Sequence, residues 1–474
     1  MRYPLLLDLG NGDGGKGRIG DTLARAFGIR KFFRFTGGPQ ARHYVNTPEG
    51  KVHGFAQFCS GMFLPNTLSF LGPSMCINLE TLWGEGLVLK RLGLEDVFDR
   101  VFIDPNCFLV TPMHEMLNKM QEIARKTKAH GSCGMGVGEA VLQSEQGFGL
   151  TVQDLLNGKG RGKLENLYLR SLSTVNEILR RSPSQELRDC FTTYFSRINP
   201  KRLLETYGDI LQMSGIRILS GTEEMKRSFA KGESFLLEPA QGALLDRHLG
   251  FSPHVTKTRC TYHPAQELLT KAGIPLSVVE KIGIFRAYAH RHGAGPLVTE
   301  DSELTKHICD VNNRTNRFQG PFRLGHLDLV ALRYGIAIND GVDSLALTCI
   351  DQLSDLSSIM ICSTYEYEGP RDDLDAFFEW EPLDETRVAI TAIKKPEFSL
   401  WMDERRTMIL RQCRPLGWSL LPGWQHPLQG IRHDNELPIQ VRKLIERLEA
   451  PHGLNVPIKI LSFGPTADDT LFLS

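Results

Sequence analysis

YPLLLDLGNGDGGKGRIGDTLARAF, residues 3–27, decides how the rest of the chain is read. The apolar run over 3–9 has the length and composition of a buried strand, and a helical pattern resumes after Lys16, so the glycines join a strand to a helix. Successive backbone N–H groups at such a turn, backed by the positive end of the helix, form an anion site, and glycine permits close approach and left-handed backbone. Residues 10–16 fit the spacing GxxxxGK, but Gly17 follows where a P-loop carries Ser or Thr for magnesium, which argues against a standard P-loop ATPase. Asp13 stands inside the loop. A carboxylate there repels phosphate unless a cation bridges the two or the residue moves a proton, while Lys16 is placed to neutralise phosphate charge. The plainer alternative is a structural turn with solvated Asp13 and Lys16.

Outward from this turn, short apolar, β-branched runs alternate with longer helical patterns, which predicts an α/β fold with a mostly parallel sheet. Strands are expected at 3–9, 234–238, 278–288, 344–349, 358–363 and 457–462. Proline opens and basic residues close the pattern over 112–128, which suits the first position and the negative end of a helix, and apolar residues recur at helical spacing over 163–181 and 185–197. The expectation is one unit over 1–474, a large central sheet with flanking helices and an inserted helical subdomain at approximately 95–230. Segment 369–420 mixes strand and helix signals and is assigned to neither.

The 474 residues are 41% hydrophobic and 23% charged, ordinary globular usage with no stretch polar enough to forbid a core. Lys plus Arg and Asp plus Glu each number 55, so no net field draws the chain to nucleic acid or an anionic membrane, and an anionic ligand has to be held locally. The opening apolar run is too short for a signal peptide, and no other is long enough to span a bilayer. Ten cysteines, dispersed without CxxC spacing, fit structural thiols in a reduced, cytoplasmic protein and speak against zinc.

The loop and five further blocks resemble the adenylosuccinate synthetase family. GDGGKGR at 12–18 is similar to the family's GDEGKGK, FTGGPQARHYV at 35–45 to GGNNAGHT, and EPAQGALLDRHLGFSPHVT at 238–256 to EGAQG…LLD…G…P.VT. LGHLDLVALRYGIAINDGVDSLALTCID at 324–351 resembles GWLDxVAxRxAxxxN…LTKLD, LPGW occurs at 421–424, and SFGPTADDT at 462–470 resembles STGPDRxxT. The blocks stand in family order from the first strand to the last.

The resemblance implies a ligase that joins aspartate to carbon 6 of IMP with cleavage of GTP, the 6-oxygen being phosphorylated first and then displaced by the amino group. Asp13 becomes the implied base at purine N1, and His43, as an imidazolium, the implied donor to the 6-oxygen or γ-phosphate. Lys16 would pair with the β- and γ-phosphates, and Mg²⁺ would take oxygens from Asp13, the nucleotide and the backbone carbonyl of Arg42. Carried over as nucleotide contacts are Gly12, Gly14, Gly15, Lys16, Gly17, Arg18, Arg323, Asp351, Ser462 and Gly464; as substrate contacts, Gln40, Ser132, Cys133, Gln241, Thr256, Gly320 and Arg323. Asp351 can accept hydrogen bonds from guanine N1–H and the 2-amino group, whereas a carboxylate repels the unprotonated N1 of adenine, so GTP is preferred to ATP. A homodimer with its site near the interface is implied too, with small-molecule substrates and neither nucleic acid nor membrane as partner.

The family pattern breaks at several ligand positions. TTGRGIGPA, near the nucleotide phosphate, corresponds to SCGMGVGEA at 132–140, where Ser132 and the backbone remain ligands, Cys133 is a weaker donor and Met135 lacks the arginine charge. KxxRRGxRVxDL, which gives an arginine to a neighbouring subunit's phosphate, corresponds to SEQGFGLTVQDL at 144–155, with no arginine. A substrate without the 5′-phosphate, another basic residue in its place and a changed dimer all stay open. TTGRRRRxGW corresponds to FQGPFRLGH at 318–326, which keeps Gly320 and Arg323, with Arg259, Arg314 and Arg317 as nearby cations to compensate. Cys349 stands for the lysine of LTKxD and Gln40 for an asparagine. Arg42 stands for a glycine, which implies strain or a different bend if that glycine needs positive φ. Two alternatives follow: a ligase of the same mechanism on another purine-like substrate or amino donor, and a non-catalytic nucleotide-binding homologue, which would need neither Asp13 nor His43.

Overall fold

The computed structural model describes residues 1–473 apart from 196, 197, 309, 311, 312, 314 and 316. β1 (Pro4–Asp8) is buried along its whole length, as an all-apolar strand covered on both faces must be. It lies inside a ten-stranded sheet with β2 (Lys31–Arg34), β3 (Leu68–Leu71), β4 (Val101–Ile103), β5 (Arg217–Ile218), β6 (Leu236–Leu237), β7 (Glu280–Arg286), β8 (Ser344–Thr348), β9 (Ile458–Ser462) and β10 (Thr470–Phe472). The order is β10-β9-β8-β7-β1-β6-β2-β3-β4-β5, and only the β9–β10 pair is antiparallel. Leu5 faces Leu237 on one side and Lys281 on the other. The chain moves from β1 out to β5 and then returns to flank β1 on both sides, so the glycine loop leaves β1 where strand order reverses, the place where open α/β sheets bind ligands.

The expected strands form, with one relocation. Ser358–Cys362 joins Leu327–Asp328 and Trp418–Pro422 in a separate three-stranded sheet rather than the central one. β2, β3 and β4 have no counterpart in the sequence reading, because apolar runs of three or four residues carry too little periodicity to separate strand from helix. Within 369–420, Phe378–Pro382 and Arg387–Ile393 form an antiparallel pair, extended by Tyr365–Glu368 and Arg414–Pro415.

α1 (Lys16–Phe27) starts at Gly15 with φ 102 and stops at Gly28 with φ 66, both left-handed, so glycine brackets it. α2 (Pro112–Arg125) begins with the expected proline, behind a Thr111–His114 capping box. α3 (Val137–Glu145), α4 (Gly160–Arg181), α5 (Gln185–Phe195) and α6 (Pro200–Met213) follow; the last two residues of the expected 185–197 helix lie outside the described residues. One apolar cluster runs from Leu6, Leu71 and Ile103 of the sheet through Met116 of α2 to Leu167 of α4 and Tyr207 of α6, so sheet and helices share a core. Among the described residues no helix is long and apolar enough to cross a membrane.

Candidate active site at the glycine loop

A carboxylate beneath the glycine loop holds it in shape. Asp8, the last residue of β1 and 3% exposed, accepts hydrogen bonds from the N–H groups of Gly10 (3.0 Å) and Gly14 (2.8 Å) and from Lys16 Nζ (2.9 Å). Burial alone would raise its pKa, but Lys16 outweighs burial and holds the carboxyl below the usual range. A Cβ on residue 14 would lie 2.7 Å from Asp8 Oδ2, so Gly14 lies over Asp8 without room for a side chain. Lys16 also donates to the Gln241 carbonyl, and its side chain is 3% exposed. Lys16 is anchored inside the loop, where it lines the cleft.

A second layer grips the loop from the strand Ala289–His292, which pairs with Phe322–Gly325. Arg286, at the end of β7, donates to the Asp13 carbonyl (2.7 Å) and pairs with Asp310 (2.6 Å). His290 donates to the Gly12 carbonyl, Arg291 to Asn11 Oδ1 (2.8 Å), Asn11 to the His290 carbonyl (3.1 Å) and Thr348 to the Gly14 carbonyl (2.7 Å). These bonds hold Asp13 at φ 54, a left-handed conformation that costs a side-chain-bearing residue about 1–2 kcal/mol. Its carboxylate, 36% exposed, points into the cleft with Oδ2 3.9 Å from His292 Nε2. Gln241 (φ 64) and Cys349 (φ 58) share this conformation and line the same cleft. Strain at three cleft residues marks a surface kept for a purpose other than stability.

His43 opens the hairpin formed by His43–Asn46 and Val52–Phe55. Its Nδ1 bonds the Glu238 carboxylate, which is fully buried and also accepts from the Ser60 N–H (3.1 Å). Burial, then the Arg34 guanidinium, pushes His43 down to about 4 against the pull of Glu238. Glu238 is pushed up by burial, but His43 and Arg34 overcome that and hold it below the ordinary carboxylate range. The resting pair is thus an ionised Glu238 and a neutral imidazole with its proton on Nδ1. Among the described residues its Nε2 has no hydrogen-bond partner, and His43 lines the cleft. Gly17 now has a physical reason, because a Cβ there would come within 2.6 Å of the Tyr44 carbonyl, so the serine or threonine of a P-loop cannot fit against this hairpin.

The cleft encloses about 660 Å³ and is lined by Gly12, Asp13, Gly15, Lys16, Gly17, Arg18, Gln40, Arg42, His43, Ser132, Cys133, Gln241 and Thr256 among others. Arg42 stays outside the left-handed region, so no strain attaches to it, and its side chain is exposed. Ser132 is less open than expected: its hydroxyl donates to Asn118 (2.7 Å), and the N–H groups of Gly131 (2.9 Å) and Ser132 (3.3 Å) donate to Glu122. Burial raises the Cys133 thiol and keeps it protonated. Gln241 accepts from the Thr258 hydroxyl (3.0 Å). Asp351 lies just past the carboxyl end of β8 and Ser462 ends the neighbouring β9, where Arg18 donates to Ser462 (2.9 Å) and Asp351 accepts from Gln352 (2.8 Å). Gly464 packs on Asp469.

The amino-donor loop departs most from expectation. Arg323 donates to the carbonyls of Gly293 (2.9 and 2.6 Å) and Gly295 (2.6 Å) and pairs with Glu300, and neither it nor Gly320 lines the cleft, although Gln319 does. Arg317 pairs with Glu186 and Arg259 with Glu267, while Arg314 lies outside the described residues. Among the described residues no group of three or more His, Cys, Asp or Glu could hold a metal. Asp13 is instead a single carboxylate that accepts no hydrogen bond among the described residues, a donor that suits a hard cation taking its remaining oxygens from phosphate and water.

The family model described as adenylosuccinate synthetase matches residues 6–471. The chain belongs to the adenylosuccinate synthetase family. Relatives named adenylosuccinate synthetase from Xanthomonas oryzae and Stenotrophomonas maltophilia are each 30% identical over 465 residues, covering 98% of this chain and 96% of theirs. The fully ligated adenylosuccinate synthetase of Plasmodium falciparum superposes with a TM-score of 0.78 at 20% identity over 100% of both chains. Cyanophage S-2L succinoaminodeoxyadenylate synthetase, bound to dGMP and to dATP as an energy donor, gives 0.54 at 16% identity over 99% of this chain and 95% of its own. As a member of the adenylosuccinate synthetase family the chain has the fold of a ligase, and two carboxylates, Asp8 ahead of the loop motif and Glu238 at the head of the EPAQG block, hold its loop and its histidine. Each closes an apolar strand run just before a turn.

Proposed function

We propose that this chain is a GTP-dependent ligase that makes adenylosuccinate, GDP and phosphate from IMP and aspartate. One observation carries the reading: a strained, solvent-facing carboxylate, Asp13, and a buried, unpartnered imidazole nitrogen, His43 Nε2, line one cleft at the carboxyl edge of a parallel sheet. Asp13 takes the proton from purine N1, the 6-oxygen attacks the γ-phosphorus, and the bond from that phosphorus to the β–γ bridging oxygen breaks, releasing GDP. His43 starts neutral, gains a proton as the phosphate charge approaches, and donates from Nε2 to the 6-oxygen or the transferring phosphoryl group, with Glu238 holding the ring on its other side. Lys16 acts on the phosphates through space from its seat on Asp8. The amino group then adds at carbon 6 and the phosphorylated oxygen leaves as phosphate. Asp13 and the Arg42 carbonyl would hold Mg²⁺, which would supply neutralisation of phosphate charge. The remaining contacts of this reading are Asp351, Ser462 and Gly464 at the guanine, with the loop glycines at its phosphates, and Gln40, Gln241 and Thr256 at IMP.

Incubation of the purified chain with IMP, aspartate, GTP and Mg²⁺ should yield adenylosuccinate, and its absence rejects this substrate assignment. A second reading, the same mechanism with another amino donor, is favoured by the engagement of Arg323 with Gly293, Gly295 and Glu300. A panel of amino acids scored by phosphate release separates the two. The same reading treats the chain as one unit with a helical insertion, working as a homodimer in the cytoplasm, and light scattering on the active protein tests the dimer.

A further inference from the structure

The family arginine that reaches a neighbouring subunit's phosphate has no counterpart in 144–155, and the structure shows what else faces that part of the cleft. Lys16, Arg18, Arg125, Arg286 and Arg291 line the cleft, and each holds a partner within the chain. Arg42 is exposed on the His43 side. Lys257 differs from all of these. It lines the cleft half-buried, directly after Thr256, and among the described residues it makes no hydrogen bond or ion pair. Its stem runs along the first turn of α3, where a Cβ on Gly138 would meet Lys257 Cγ at 3.0 Å.

The neighbours cannot do its work. The Gly131 and Ser132 donors are held by Glu122 and Asn118, and Met135 has no charge. Arg247 is paired through both terminal nitrogens with Glu145. Burial and the charges of Arg247 and Arg125 depress the Lys257 pKa, while Glu139 and Glu145 oppose them, so the ammonium is partly desolvated without a bonded counter-ion. Such a group gains more than an exposed lysine when an anion arrives.

We propose that Lys257 binds the phosphate of a nucleoside monophosphate substrate, within one chain, in the place that family members fill with an arginine from a neighbouring subunit. This rests on the adenylosuccinate synthetase reading of the cleft, and among the openings left by the sequence it selects a phosphorylated substrate with a different basic residue.

Calorimetric titration of IMP and of inosine into the wild type, Lys257→Met and Lys257→Arg tests it. The wild type should prefer IMP. Lys257→Met should weaken IMP roughly tenfold to a hundredfold, the worth of one charge-assisted hydrogen bond, and leave inosine unchanged, while Lys257→Arg keeps most of the preference. The assignment to Lys257 is overturned alone if Lys257→Met binds IMP as tightly as the wild type, or if both ligands weaken together. A wild type that binds neither ligand removes the purine reading itself, and this assignment with it.

Discussion

The two ends of the cleft are built differently. At the glycine-loop end the polar groups are buried and held by one another: Asp8 by Lys16 and two backbone N–H groups, Glu238 by His43 and Ser60, and the loop carbonyls by Arg286, His290 and Thr348. At the far end, around 132–140 and 318–326, arginines of the family pattern are absent, and those present are tied to carbonyls or surface carboxylates. A closed network cannot lose one member without leaving another buried and unpaired, whereas a loop that presents side chains to a ligand can exchange them at little structural cost. The difference teaches that the family pattern persists where its groups are locked to one another and departs where side chains are left to present themselves to a ligand.

Breaking the first end at its reacting atom should give the largest effect. Asp13→Asn should lower turnover about 10²- to 10⁴-fold, the usual worth of a general base. Its stability should not fall, because the side chain is partly solvent-facing and its nearest ion-pair partner, His292, is 3.9 Å away. Stopped-time product analysis beside thermal melting checks both halves, and undiminished turnover would remove the carboxylate from the chemistry.

Asp8→Asn attacks the same end from beneath. It leaves the Lys16 ammonium buried without its counter-charge, which should cost about 3–5 kcal/mol of stability in urea denaturation. A loss below 1 kcal/mol would mean that the loop does not depend on this pair. Glu238→Gln is milder. It should lower kcat/KM about tenfold to a hundredfold by releasing the His43 ring. Glu238 raises the proton affinity of His43, so without it the imidazole loses its proton at lower pH. Where protonated His43 is needed, the limb on which activity declines with rising pH should move to lower pH. An unmoved limb would separate Glu238 from the titration of His43.

Legibility in the sequence follows the same division. Asp13, Lys16 and His43 stand in segments whose local spacing is itself the signal, and the long apolar strands β1, β7, β8 and β9 announce a parallel sheet. Asp8 does not, because an acid at the end of an apolar run reads as the start of any turn, and Glu238, though it heads the EPAQG block, carries no local sign that it will meet His43. Ala289–His292 looks like the polar tail of a strand until the chain folds back and Arg291 comes opposite Arg323. That pairing also explains Arg323: the resemblance puts an arginine in the donor loop, but only the hairpin turns it towards Gly293 and Gly295. Local pattern shows which residues are present, and long-range pairing decides which of them remain free.

The smallest expected effect lies between the two ends, at base choice. Cys349 stands where the family has lysine and sits in a left-handed turn two residues before Asp351, so in the proposed reading base recognition would rest on Asp351 without that stem. The fold itself does not fix the base, since the cyanophage relative was solved with dATP as its energy donor. A carboxylate offers two acceptors to guanine N1–H and the 2-amino group, whereas an amide offers one acceptor and a donor suited to adenine N1. Asp351→Asn should therefore shift the ratio of kcat/KM for GTP over ATP towards ATP. Asp351 is partly exposed and already accepts a bond from Gln352 at 2.8 Å, so the shift should be about tenfold, at the low end for hydrogen bonds to a charged group. A ratio unchanged by the substitution would move base recognition away from Asp351 and onto the Ser462–Gly464 loop beside it.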